Sequence, residues 1–132
     1  MVAEDNLINQ KIANYILTKQ KANVLSATNG YEAIDLLSKN RLDIILMDIQ
    51  MPGLSGIEAA RYIRNELKNN IPIIALTADI FADNYEENVK AGFNEFIVKP
   101  FDPSSLCKLI YSFWYCYLFL KNRTINLLIY SD

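Results

Sequence analysis

The chain of 132 residues contains no histidine. That excludes imidazole acid–base catalysis, the common histidine metal sites and any role as a phosphohistidine carrier. A positive excess is missing as well. Thirteen Lys+Arg stand against 15 Asp+Glu, and the net charge of −2 leaves no basic footprint, so direct nucleic-acid binding is not expected. Cysteine is scarce. Cys107 and Cys116 lie nine apart, form no CxxC pair and follow no secretory signal, which points to reduced thiols and a cytoplasmic location. Long apolar runs are lacking too. The longest uncharged stretch near the C-terminus, Leu109 to Leu120, has 12 residues. A bilayer span needs roughly 18–20, so no membrane span is expected. Repeats and low-complexity linkers are absent, and the length suits one domain rather than a receptor or a sensor with a fused effector.

What is present divides into an ordinary body and an unusual tail. Residues 109–132 hold 16 hydrophobic residues, seven of the 15 aromatics and three of the 28 charges. Before them, two kinds of segment alternate. Apolar residues at helical spacing (Ile12, Ile16, Leu17; Ala33, Ile34, Leu37; Ile57, Ala60, Ile63, Leu67) are interleaved with short continuous apolar runs at Val24–Ala27, Ile44–Met47, Ile71–Leu76 and Phe96–Val98. Continuous runs are the pattern of strands covered on both faces, as in a parallel sheet. Asn29-Gly30, Pro52-Gly53 and Gly92 punctuate the junctions, and Asp102-Pro103 reads as an N-cap and first-turn proline opening a last helix. The expected fold is doubly wound α/β. Its first strand looks clipped, because only Met1, Val2 and Ala3 precede Glu4-Asp5, where about five residues are usual.

Doubly wound sheets bind ligands beyond the carboxyl ends of their strands. The polar residues that follow the apolar runs are Glu4 and Asp5, then Asp48, then Thr77 and, after Ala78, Asp79, then Lys99. The three carboxylates of Glu4, Asp5 and Asp48 in one small volume repel, and one would take up a proton unless neutralised. A hard divalent cation such as Mg²⁺ (or Mn²⁺), with the Lys99 ammonium, balances them and leaves a site able to receive a phosphoryl group. Asp48 ends the most apolar interior strand and is the expected nucleophile, forming an acyl phosphate. Lys99 and the metal would neutralise the phosphoryl oxygens. Thr77 can donate a hydrogen bond to one of them, and Ala78 leaves the approach open. Each of these residues, taken singly, has an ordinary structural explanation; their placement at the ends of several strands of one sheet does not.

The stretches VAEDNLINQKIA, ATNGYEAIDLL, DIILMDIQMPGLSGIEAARYIR, IPIIALTADIF and AGFNEFIVKPF, in this order and spacing, resemble the receiver domain of two-component response regulators, most of all the receivers of hybrid sensor kinases. The resemblance covers roughly residues 1–115. It implies a flavodoxin-like (βα)5 fold with a parallel five-stranded sheet in the order 2-1-3-4-5. Asp48 matches the phosphoacceptor, Glu4 and Asp5 the acidic pair that binds Mg²⁺, and Gln50 the position whose backbone carbonyl also meets the metal. Thr77 and Phe96 match the switch pair, Lys99 the lysine of the motif, and Pro100 the residue after its usual cis peptide. Gln50, Ala78 and Asp79 fall where the lifetime of the acyl phosphate is tuned. The donor implied is a phosphohistidine on a sensor histidine kinase or histidine phosphotransfer protein, and phosphorylation would switch a protein-interaction surface rather than catalyse turnover.

Two other readings stand beside this one. Haloacid-dehalogenase-type phosphohydrolases share the nucleophile, metal, hydroxyl and lysine, but need a second aspartate two residues after the first, where this chain has Gln50. A phosphorylation-independent receiver-like module would be expected to lack Asp48 or the acidic pair. The resemblance leaves residues 116–132 as a hydrophobic extension. Self-association through an extended last helix is the favoured reading of it, ahead of packing back to repair the clipped first strand and of an atypical reading frame. Thr124–Tyr130 has strand-like composition and could add to a sheet within the chain or between two chains.

Overall fold

The computed structural model describes residues 11, 14–15, 17–19, 23–49, 54–78, 85–99, 104–109 and 111–112, and the backbone of 126–130. Five strands form one sheet: β1 (Asn23–Ala27), β2 (Ile44–Asp48), β3 (Ile73–Thr77), β4 (Glu95–Val98) and β5 (Asn126–Tyr130). Three helices, α1 (Gly30–Lys39), α2 (Gly56–Asn65) and α3 (Tyr85–Ala91), lie between them in the chain. The described residues between 11 and 19 and between 104 and 112 are also helical. Among the described residues no helix is long and apolar enough to cross a membrane.

Every strand pairing is parallel, and the order is β1-β5-β2-β3-β4. The four strands expected from the apolar runs are present, with ends shifted by one or two residues. The expected order 2-1-3-4-5, with the N-terminal strand central, is not what the described residues show. Its first strand, Met1–Ala3, lies outside the described residues, and the place between β1 and β2 is held by Asn126–Tyr130. Asn126–Tyr130 offers five consecutive partners to β1 and four to β2, a ladder long enough for a central strand.

Strand alternation splits the core into two layers. Ile45 and Met47 of β2, with Ile73 and Ala75 of β3, pack toward Ala33 and Leu37 of α1, Ala59, Ala60 and Ile63 of α2, and Ala91 of α3. Ile44 and Leu46, with Ile74 and Leu76, pack toward Leu17 and Leu106 of the two flanking helical segments. This two-sided cover explains why β2 and β3 are apolar on successive residues. One expected helix position differs. Leu67 lies past the end of α2 and is exposed.

The helices start on local signals. The Asn29 side chain accepts from the Glu32 N–H at 2.9 Å, and the Glu32 carboxylate in turn accepts from the Thr28 N–H and hydroxyl at 3.0 and 2.9 Å. Those bonds hold the Glu32 carboxyl below the usual glutamate range, the backbone bond contributing most. Ser55 caps α2 by accepting from Glu58 N–H. At the other end of α2, Arg64 ties the molecule together. Its guanidinium donates to the carbonyls of Asn69 and Ile71 (2.8 and 2.7 Å), to Gly92 (2.7 Å from Nη2) and to Asn94 Oδ1 (2.9 Å). Gly92 has φ +112°, and a side chain there would meet Arg64 Cγ at 2.6 Å, so this glycine is required twice over. Burial pulls the Arg64 pKa down.

Candidate functional site

Three strands bring the site together at their carboxyl ends. β2 ends on Asp48, which is 2 % exposed, and β3 on Thr77, which is 1 % exposed. Asp48 is in register with Leu76, so Thr77 stands one step further along the neighbouring strand. Lys99 follows β4. Its backbone N–H donates to the Thr77 carbonyl at 2.7 Å, which fixes where its side chain departs. From there Nζ donates to Asp48 Oδ2 at 2.5 Å, across 51 positions of sequence. A carboxylate this buried is costly unless paired. Lys99 supplies the charge partner.

The turn after Asp48 is closely packed. Ile49 N–H donates to the Leu76 carbonyl and Gly56 N–H to the Ile49 carbonyl, both at 3.1 Å. Gly56, the first residue of α2, lies so near the strand end that a Cβ on it would stand 2.2 Å from the Asp48 carbonyl oxygen. A glycine's lack of side chain therefore sets how α2 approaches the acceptor residue. Pattern reading did not single out Gly56, because a glycine among turn residues gives no sign of what it touches. Phe96 on β4 is half-buried and meets Tyr85 of α3 in a tilted contact, ring centroids 5.0 Å apart, and Phe93 in another at 6.1 Å. Tyr85 was also missed; an exposed aromatic at a helix start carries no distinguishing signal.

Of the expected site residues, Asp48, Thr77 and Lys99 are brought together at one edge, Ala78 is exposed beside them in sequence, and Phe96 sits two residues before the end of β4. Glu4, Asp5, Gln50, Asp79 and Pro100 lie outside the described residues. Among the described residues no three acidic or cysteine side chains converge as a metal cluster.

Comparison with known proteins decides the family. Residues 1–111 match the model of the response regulator receiver domain. The chain belongs to the response regulator receiver family. Its receiver character is clearest against hybrid kinases. It is 42% identical over 118 residues to hybrid signal transduction histidine kinase I of Dictyostelium discoideum, covering 83% of this chain and 7% of that protein. It is 39% identical over 106 residues to the autoinducer 2 sensor kinase/phosphatase LuxQ of Vibrio parahaemolyticus, covering 80% of the chain and 12% of that protein. The chain thus spans a small fraction of the curated relatives it matches. Among solved structures, the receiver domain of Ssk1 from Saccharomyces cerevisiae, crystallised with the histidine phosphotransfer protein Ypd1, superposes with a TM-score of 0.78 at 35% identity, covering 91% of this chain and 90% of that one. The receiver domain of sensor histidine kinase PA1611 from Pseudomonas aeruginosa, with magnesium in its active-site cleft, superposes at 0.74 and 33% identity, covering 82% and 89%. The receiver fold here is accordingly flavodoxin-like, and the chain is a phosphoacceptor module of two-component phosphorelay signalling. A phosphohydrolase is not favoured. The family match stops at residue 111, short of the strand that occupies the middle of the sheet.

Proposed function

We propose that Asp48 is the phosphoacceptor, taking its phosphoryl group from a phosphohistidine on a sensor histidine kinase or histidine phosphotransfer protein in the cytoplasm. The observation that carries this reading is the contact between Lys99 Nζ and the buried Asp48 carboxylate at the strand ends, beside Thr77. In the transfer, the Asp48 carboxylate forms an O–P bond as the N–P bond of the donor breaks, and the departing imidazole keeps the bonding electrons and takes a proton. Lys99, already on one carboxylate oxygen, is placed to neutralise a phosphoryl oxygen. The Thr77 hydroxyl donates to another.

The donor set suits Mg²⁺, a hard ion that prefers carboxylate and carbonyl oxygen. Asp48 would offer an oxygen ligand at the strand-end edge where such sites form, and Lys99 alone does not balance three acids. Glu4, Asp5, Asp48 and the Gln50 backbone carbonyl would hold the ion. Bound there, it supplies charge neutralisation for the incoming phosphoryl group. Gln50, Ala78 and Asp79 set access to the acyl phosphate and so its lifetime. When Thr77 is drawn toward the phosphoryl group, Phe96 exchanges its contacts with Tyr85 and Phe93 for the space vacated, which alters the surface around α3 and β4. The module acts as a switch and not as a turnover enzyme.

Incubation with Mg²⁺ and acetyl phosphate should give an acid-stable, base-labile adduct of one phosphoryl mass, absent from Asp48→Asn. A folded protein that forms no adduct, or forms it elsewhere, overturns the reading. Turnover of generic phosphomonoesters would transfer the case to the hydrolase alternative.

A further inference from the structure

The middle of the sheet is built from a segment that the family match does not reach. β5 pairs with β1 along Asn23–Ala27 and with β2 along Ile44–Met47. Among the described residues, β1 has no other strand partner. Without β5, β1 would lose its whole ladder and β2 would become an edge strand held by β3 alone. Each backbone N–H and carbonyl stranded in that way is a buried polar group without its bond, and such groups are costly. The loss falls at the phosphoacceptor, since Tyr130 is in register with Met47, the residue before Asp48.

The strand can come from its own chain. Thirteen residues separate Ser112, the last described helical residue, from Asn126. Extended, they reach about 43 Å. From β4 to the slot between β1 and β2 is three strand spacings, about 14 Å. A tether of this length holds the strand at an effective concentration of order millimolar, well above that of a second copy. The arrangement is strand complementation, in which main-chain bonds supply the affinity, with donor and acceptor in one molecule.

We propose that Asn126–Tyr130 is a self-donated strand that gates phosphoryl acceptance: Asp48 is competent only while the C-terminal strand fills the slot between β1 and β2. This rests on the assignment of Asp48 above and adds a second requirement to it.

Two full-length variants test it. In the first, the register partners Leu25 and Leu128 are replaced in a background free of native thiols (L25C/L128C with C107S/C116S). Neighbouring strands lie about 4.8 Å apart, within disulfide range. Oxidation should give a cross-linked monomer that still takes up phosphoryl from acetyl phosphate. A covalent dimer would show donation by a second copy, and a folded protein that fails to cross-link would show the slot filled otherwise; either overturns the proposal. In the second, Leu128→Pro removes a donor from a central strand, where proline is not tolerated. Amide exchange should show protection lost at Val24–Ala27 and kept at Ile74–Leu76, with phosphoryl uptake reduced at least tenfold. Uptake at the wild-type rate with β1 unprotected overturns the gating. If Leu128→Pro loses protection at Ile74–Leu76 as well, Asn126→Pro, at the first residue of β5, takes its place with the same two readouts and the same overturning result. A wild-type protein that yields the cross-linked monomer in the Cys variant but no Asp48 adduct would instead refute the phosphoacceptor assignment and leave the strand in place.

Discussion

Gly56→Ala sets two effects of opposite sign against each other. Alanine is favoured by about 1 kcal/mol, because it restricts the unfolded chain more than glycine does. Against this stands a Cβ 2.2 Å from the Asp48 carbonyl oxygen and 2.9 Å from Ile49 Cα. These neighbours are backbone, so no rotamer change relieves the contact. Restoring ordinary separation requires a shift of about 1 Å between α2 and the end of β2. Overpacking costs about 1–3 kcal/mol and more where nothing yields. The clash should win, with a net loss of about 2 kcal/mol. For 132 residues, an unfolding entropy of about 2.1 cal/mol/K per residue converts that into a Tm lowered by about 7 °C. The shift lands on the acceptor residue, and a misplacement of about 1 Å in a reacting group costs about a hundredfold in rate. Calorimetry and the rate of adduct formation from acetyl phosphate measure the two consequences. A variant as stable as the wild type, taking up phosphoryl at the same rate, would refute the argument from close approach.

Arg64→Met keeps much of the packing but removes every guanidinium hydrogen bond, and should cost about 3 kcal/mol in urea denaturation, since charged donors to half-buried carbonyls are worth about 1.5–3 kcal/mol each before relaxation; a loss below 1 kcal/mol would show that water replaces them. Lys99→Met leaves the buried Asp48 carboxylate without its cation and should destabilise by about 3 kcal/mol, and in a double-mutant cycle with Asp48→Asn the two losses should fall well short of additive. The depressed Glu32 pKa contributes stability that is present at neutral pH and lost as pH falls through the depressed value, because the unfolded chain then binds more protons. The group is solvent-exposed, so the contribution is under about 1 kcal/mol. Glu32→Gln should therefore flatten the acid limb of the urea midpoint below the ordinary glutamate pKa and leave its slope near neutral pH unchanged.

The body of the fold was legible because local pattern and tertiary placement agree. Ile44–Asp48 and Ile73–Thr77 read as doubly covered strands, and both are buried along their length. The convergence of Asp48, Thr77 and Lys99 followed from the rule that polar residues ending parallel strands share one edge. What stayed undecided was non-local. Thr124–Tyr130 showed strand composition, and packing back to repair the first strand was one reading of the tail, but no periodicity reveals which slot a parallel strand enters, and self-association was preferred. Arg64 on an amphipathic helix reads as a solvent-facing cation; only the fold brings the carbonyls of Asn69, Ile71 and Gly92 around it. The near contact of Gly56 with Asp48 depends on the angle at which a helix leaves a turn, which composition does not encode.

The place of β5 also constrains the order of events as the chain is made. β1 and β5 are immediate neighbours in the sheet, yet Ala27 and Asn126 are 99 positions apart in the chain. At a synthesis rate of about 5–20 residues per second, β1 waits roughly 5–20 s for its partner, with β2 open along the same side. During that interval the nascent protein presents two unpaired, parallel-competent strand edges, the kind of surface that invites pairing with another chain. Cellular yield should therefore depend on translation speed between the codons for β1 and β5, and on chaperone supply, more than the stability of the finished domain would suggest.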